Sequence, residues 1–175
     1  MKPPETSHQV QTSRPLQADG RVHGVVVACR RADGKWLCIR RSDKVASPLK
    51  VCFPGGTIEL QESQPAAIVR EMKEELDARV KPIAHVWHWE KPDWPLTLWG
   101  WTAELLSGEL HPDPAEVAEI LWLTGAEVSN HPDGLPSNRL FVASLEQAIS
   151  LEARKAKRLS VLSPQHSVLP PTDLA

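Results

Sequence analysis

Four glutamates and an arginine crowd into fourteen positions, Glu62, Arg70, Glu71, Glu74 and Glu75, shortly after the glycine pair Gly55 and Gly56. Around them Ile68, Met72 and Leu76 recur at i, i+4 and i+8, joined by Val69, and Pro65 follows Ser63. This pattern predicts an amphipathic helix from near Ser63 to about Asp77, with the proline near the first helical position where its missing N–H costs least. At about 100° per residue with Met72 at zero, Glu75, Glu71 and Glu74 fall at roughly −60°, −100° and −160°. Three carboxylates therefore line one flank, beside the apolar stripe. Like charges at i, i+4 cost a helix roughly 0.2–0.5 kcal/mol per pair, and Glu71 with Glu75 is such a pair. Lys73 points elsewhere and Arg70 reaches only part of the cluster, so a further cation is the natural partner. An all-oxygen donor set selects a hard ion, Mg2+ or Mn2+. The plainer alternative is a solvated acidic face; the glycine turn, Glu62 at the entrance and Arg70 before the cluster weigh against it.

The elements that must hold this helix are legible on either side. Val25 to Ala28 is a β-rich run, Ala32-Asp33-Gly34 a turn, and Lys35 to Arg41 an alternating stretch, which predicts two early strands. A Ser/Pro loop (Ser42 to Leu49) leads to Val51-Cys52-Phe53 and then the tight turn Pro54-Gly55-Gly56. Downstream, Ile83 to Glu90 and Leu96 to Glu104 read as neighbouring strands, and Ile120 to Leu123 as another. A second helix is expected from Asn138 to about Ala156, with Leu140, Phe141, Leu145, Ala148 and Ile149 facing inward. Residues 1–20 are polar and carry Pro3, Pro4 and Pro15, the composition of a flexible leader. Residues 157–175 read as a tail, leaving one domain over 21–156.

Composition narrows the function classes. The 175-residue chain has 20 basic and 22 acidic side chains, a net charge of −2. With no concentrated excess of Lys and Arg read in any segment, duplex nucleic acid is not an expected partner. Cys29, Cys38 and Cys52 form neither a disulfide framework nor a CxxC motif, which fits a reducing compartment. No apolar run is long enough for a signal peptide or a membrane span, so the expected location is the cytoplasm, away from any membrane.

The spacing Gly56-x5-Glu62-x7-Arg70-Glu71-Met72-x-Glu74-Glu75 resembles the signature of the Nudix hydrolases, G-x5-E-x7-R-E-U-x-E-E-x-G-U, and Phe53-Pro54-Gly55 before it also fits. One position departs, Asp77 for the motif glycine. Asp tolerates the left-handed conformation better than most residues, so the change bears on loop geometry more than on metal chemistry. The resemblance spans roughly residues 21–150 and implies an α/β fold, an α/β/α sandwich with a mixed sheet between helices. It further implies Mg2+ or Mn2+ as cofactor, held by Glu75, the carbonyl of Gly55 and Glu74. On the same basis Glu71 is a further ligand or the general base, Arg70 orients the glutamates and Glu62 supports the loop–helix geometry.

Within that family the likeness extends to the MutT type, which hydrolyses nucleoside triphosphates. It is carried by Ile39-Arg40-Arg41, the step from Arg41 to Phe53, Leu96-Thr-Leu-Trp-Gly-Trp101 and Leu135-Pro-Ser-Asn138. It implies that Arg41 and Phe53 line a nucleotide site, that Asn138 reads a purine edge and that Glu116 approaches the metal from a loop. Asn138 has an alternative as the N-cap of the last helix, and Glu116 as a solvated residue. Cys52 lies beside these residues as a candidate lining group or a buried small hydrophobe. The expected reaction releases monophosphate and pyrophosphate from a purine nucleotide, oxidised forms such as 8-oxo-dGTP included. Other small-molecule substrates, ADP-ribose and diadenosine polyphosphates, share the same box, and a non-catalytic nucleotide-sensing module is the reading from another class; retention of all three glutamates favours catalysis. His85 and His88, three apart in a strand, are expected on opposite faces and so not as joint zinc ligands. Five of the seven tryptophans, Trp87, Trp89, Trp94, Trp99 and Trp101, fall within fifteen residues, where they pack across a strand pair or wall a base pocket.

Overall fold

A computed structural model describes residues 14–106 and 108–162. Residues 1–13 of the expected leader and 163–175 of the expected tail lie outside the described residues. Six strands and three helices follow in the order β1 (Val22–Cys29), β2 (Trp36–Arg41), β3 (Val51–Cys52), α1 (Gln64–Leu76), β4 (Val80–Glu90), β5 (Leu96–Leu105), β6 (Val117–Leu123), α2 (Gly125–Ser129) and α3 (Pro136–Leu162). The strands form two three-stranded sheets, β1-β5-β4 and β3-β2-β6. In the first, β1 runs parallel to β5 and β4 antiparallel to it; the second is wholly antiparallel. The expected mixed sheet is thus present in two parts.

Period-2 alternation sends each strand's side chains to two cores. Val25, Val27, Leu37 and Ile39 face α1 and pack with its Ile68, Met72 and Leu76. Ala28, Trp36 and Cys38 face the other way, onto Phe141, Val142 and Leu145 of α3. This is the α/β/α arrangement. The α1 helix starts where its sequence says: Ser63 caps it by accepting from the Ala66 N–H, with Pro65 in the first turn. It ends at Asp77, which adopts the left-handed conformation at φ 51° in place of glycine and pairs with Lys73.

Several expectations are corrected. The inward face of α3 is Asn138, Phe141, Val142 and Leu145; Leu140 is exposed because it lies about 100° round the helix from Phe141, and Ile149 is exposed although it lies only about 40° from Leu145, because it comes a turn after the buried residues end. The helix runs on to Leu162, past the boundary expected near Ala156. Asn138 lies inside the first turn and is not the N-cap. Strand β6 begins at Val117, three residues before the expected start. Residues 14–20 are tied to the domain: Gln17 donates to the carbonyls of Ile58 and Glu59, and Asp19 accepts from the Arg21 N–H and pairs with His23. The helix α2, unread in the sequence, is set by a capping box between Thr124 and Glu127.

The expectation that His85 and His88 lie on opposite faces also fails. A register shift in β4 between His85 and Trp87 re-aims the strand, and both imidazoles meet Trp99, at ring-centroid distances of 5.4 and 4.5 Å. The tryptophans divide by face as alternation requires. Trp87 and Trp89 stack at 6.2 Å on the α3 side, while Trp99 and Trp101 pack toward α1, where the Trp101 indole donates to Gln64. Trp94 sits exposed in the β4–β5 turn.

Gly100 makes the α3-side packing possible. A Cβ there would sit 2.5 Å from a Phe141 ring carbon and 2.9 Å from Trp87. Gly100→Ala is therefore expected to destabilise the fold by about 1–3 kcal/mol through overpacking. Urea denaturation at constant m-value reads this as a lowered midpoint; an unchanged midpoint would contradict the packing.

Candidate active site

The site is assembled where three chain segments meet. The turn Pro54–Gly56 is strung along the edge of β1, whose Val25 and Val27 N–H groups donate to the carbonyls of Gly56 and Pro54 at 2.8 and 2.9 Å. Gly55 adopts φ 133°, and a Cβ on it would lie 2.2 Å from the Val25 carbonyl oxygen. On Gly56 a Cβ would fall 2.3 Å from the Glu71 carboxylate. Only glycine fits at position 55, where backbone fills the space, and at position 56 a Cβ would displace the Glu71 carboxylate; the absent side chains let α1 bring its carboxylates against backbone. The Gly55 N–H donates to Glu75 Oε2 at 2.9 Å, tying the turn to the helix.

Arg70 organises the remaining carboxylates. Its guanidinium donates to Glu62 from Nε and Nη2, to Glu71 and Glu74 from Nη1 at 2.8 and 2.9 Å, and to the Thr57 carbonyl at 2.8 Å. The expected part played by Lys73 is also clear, since it turns away to Asp77. Glu62 further accepts the Glu59 N–H, which closes the loop before the helix. Its hydrogen bonds to Arg70 hold Glu62 below the ordinary carboxylate range.

Glu71 and Glu75 behave differently because they are buried, at 8% and 3% exposure. Burial pushes the Glu71 carboxyl up against the opposing pull of Arg70. It pushes Glu75 up to about 8, with Glu71 and Glu116 adding to the rise and the Gly55 N–H and Arg41 opposing it. Glu116 stands close enough to act on both glutamates, and its place is fixed from two directions. The Ser42 N–H donates to the Glu116 carbonyl, while the loop before it caps α1, His111 and Asp113 donating their N–H groups to the carbonyls of Leu76 and Glu75. That capping loop was not read in the sequence. Arg41 completes this side: its Nε donates to the Ala46 carbonyl at 2.7 Å, and its charge bears on both Cys52 and Glu75. The Cys52 thiol, buried and beside Arg41, is pushed up to about 11 by desolvation.

Glu62, Arg70, Glu71, Glu74, Glu75, Gly55, Glu116, Arg41 and Cys52 are thus brought together. Phe53 and Asn138 lie across β3, on the α3 side. Phe53 is enclosed by Trp36 and Phe141, with the Phe141 ring 4.9 Å away, and Asn138 donates its amide to the Val51 carbonyl at 2.9 Å. Both are almost wholly buried.

The donors on offer to a metal are carboxylate oxygens and backbone carbonyls, a hard set that fits Mg2+ or Mn2+. Among the described residues no three such groups already converge as a complete ligand set, since Arg70 draws Glu71 and Glu74 toward itself. A divalent ion taking those carboxylates competes with the guanidinium. A raised folded-state pKa stabilises the protonated carboxyl, so the stability contributed by Glu75 is present below the unfolded value and is lost as pH climbs toward about 8. In the presence of a chelator, Glu75→Gln is therefore expected to match the native protein in thermal stability near pH 5 and to exceed it near pH 8. Equal melting temperatures at both pH values would contradict the buried, protonated carboxyl.

Comparison with known proteins agrees with this geometry. The NUDIX domain family model matches residues 20–145. The chain is 29% identical to the 8-oxo-dGTP diphosphatase of Escherichia coli over 120 residues, covering 67% of this chain and 91% of that protein. It is 30% identical over 87 residues to the NAD-capped RNA hydrolase NudC of Deinococcus radiodurans, covering 48% of this chain but only 30% of that longer protein. Among solved structures, the MutT protein of Methanosarcina mazei superposes with a TM-score of 0.65 at 18% identity, over 78% of this chain and 96% of that one. With the glutamate helix, the glycine turn and the sandwich in place, the chain belongs to the NUDIX domain family and is a pyrophosphohydrolase.

Proposed function

We propose that the protein is a Mg2+-dependent hydrolase of purine nucleoside triphosphates, oxidised forms such as 8-oxo-dGTP included, releasing the monophosphate and pyrophosphate. The observation that carries this reading is the buried carboxylate pair Glu71 and Glu75 held against the Gly55–Gly56 turn, with Arg70 bridging to Glu74 and Glu62. The likeness to the 8-oxo-dGTP diphosphatase over nine-tenths of that protein's length supports the substrate class.

In this reading Glu75, Glu74 and the Gly55 carbonyl take the metal, with Glu116 approaching from its loop. The ion, when bound, supplies charge for the phosphoryl oxygens and lowers the pKa of a coordinated water. Glu71 is a ligand or the base that takes the water's proton; burial raises its pKa and so makes it a stronger base than an exposed glutamate. Arg70 holds the carboxylates in order, and Glu62 anchors Arg70. Arg41 and Cys52 border the polyphosphate side. Phe53 and Asn138 serve the base; for them to touch it, β3 and the start of α3 must part, since both are enclosed.

Two outcomes are expected. Glu75→Gln abolishes Mg2+-dependent pyrophosphate release, a loss of at least a hundredfold in kcat, while its circular dichroism and cooperative unfolding stay native; a well-folded, fully active variant sinks the assignment of Glu75. A panel of dNTPs, 8-oxo-dGTP, ADP-ribose and diadenosine polyphosphates at fixed Mg2+ gives its highest kcat/KM on a purine triphosphate. A strong preference for ADP-ribose overturns that substrate class.

A further inference from the structure

The last turns of α3 carry a feature the nucleotide chemistry leaves unused. From Ile149 to Leu159 every residue is exposed, so the helix projects beyond its last fully buried side chain, Leu145. This projection holds Arg154, Lys155, Lys157 and Arg158 against a single acid, Glu152, a net +3 that leaves the other residues of the −2 chain at −5. The sequence expectation that no segment concentrates Lys and Arg is corrected here. At about 100° per residue with Leu145 at zero, Lys157, Arg154, Arg158 and Lys155 fall at roughly 120°, 180°, −140° and −80°. Ile149, Ala153, Ala156 and Leu159 fall between roughly −40° and 80°. The cations therefore occupy one arc, shared with the exposed Leu151 at roughly −120°, and the other apolar residues occupy the opposite one.

Ordinary helix physics does not call for this arrangement. The helix dipole favours cations in the last turn, and the last turn of α3 has none. Arg154 and Arg158 are i, i+4 like charges, which weaken a helix. We propose that this projecting basic face binds the phosphate backbone of single-stranded nucleic acid, independently of the base sequence and separately from the glutamate site.

Charge complementarity selects the partner class. Four cations within about 6 Å of helix axis match two or three consecutive phosphates. A flexible single strand can follow that short face, whereas a stiff duplex extends past it over a body of net −5. A lipid surface fits poorly, because two of the four residues on the apolar arc, Ala153 and Ala156, are small, and Glu152, at roughly −20°, interrupts it. Binding through two or three phosphates gives a log–log salt slope of about −1 to −2 for a single strand.

The test is fluorescence anisotropy of a labelled twelve-nucleotide oligouridylate with a 5′-hydroxyl end, titrated with the full chain at 50 and 200 mM salt. The native chain binds with the salt slope above, Arg154→Glu/Arg158→Glu raises Kd at least tenfold, and Arg154→Lys/Arg158→Lys stays within threefold of native. Hydrolysis of the best nucleotide substrate is unchanged in both variants. No binding at 50 mM salt, equal binding by the charge-reversed variant, tighter binding to a duplex of the same length or preferential binding to phosphatidylserine vesicles each overturns the proposal. A chain that hydrolyses no nucleotide yet binds the oligonucleotide through these residues would sink the proposed function and leave this inference standing.

Discussion

The turn Pro54–Gly56 is clamped between a strand and a pair of buried carboxylates, and the rest of the site depends on that clamp. On one side β1 holds the turn by backbone hydrogen bonds so close that the Val25 carbonyl occupies the space of a Gly55 side chain. On the other, Glu71 fills the space a Gly56 side chain would need and Glu75 accepts the Gly55 N–H. A larger residue at position 55 would push the turn off β1, and one at position 56 would displace the Glu71 carboxylate. Since α1 also buries Ile68, Met72 and Leu76, the helix cannot yield without opening the core. Site geometry and core packing are therefore one constraint.

Positioning beyond the clamp comes from satisfying backbone groups at element ends. The carbonyls at the end of α1 are orphaned by helix geometry, and the loop before Glu116 answers two of them through His111 and Asp113. The same loop is pinned to the end of β2 by Ser42, whose hydroxyl donates to the Ala115 carbonyl at 2.6 Å. A fourth carboxylate thus reaches the cluster as a consequence of capping the helix that bears the other three.

The sequence made most of this legible where short-range rules decide. The span of α1, its cap at Ser63 and its left-handed end at Asp77 follow from local signals, and the carboxylate flank follows from periodicity alone. The pairing of the two tryptophan-rich strands and their alternation were readable for the same reason. What failed depends on register and phase. Whether His85 and His88 share a face is decided by a bulge, which shifts the count by one and leaves no mark in residue type. The inner face of α3 is decided by how far the core reaches: Leu140 and Ile149 are as apolar as Leu145, yet both are exposed. Asn138 itself illustrates the limit: a polar residue after Leu-Pro-Ser reads as a cap or a base contact, but its amide is committed to Val51, a partner 87 residues away that no local pattern reveals.

Charge at the site is distributed so that protons, arginine and metal contend for the same oxygens. Glu62 stays ionised beside Arg70, which spreads one positive charge over three carboxylates and a carbonyl. Glu75 lacks that partner and is buried more deeply, so it retains its proton toward neutral pH. A cation entering the cluster must displace that proton and loosen Arg70 from Glu71 and Glu74, which makes occupancy steeper in pH than a solvent-exposed carboxylate set would give. The cost of holding these acids together in a low-dielectric pocket is thus borne, without metal, by one guanidinium and one retained proton. Arg70 keeps its bonds to Glu62 and the Thr57 carbonyl, so a doubly charged ion in place of that proton would add one net positive charge to the cluster.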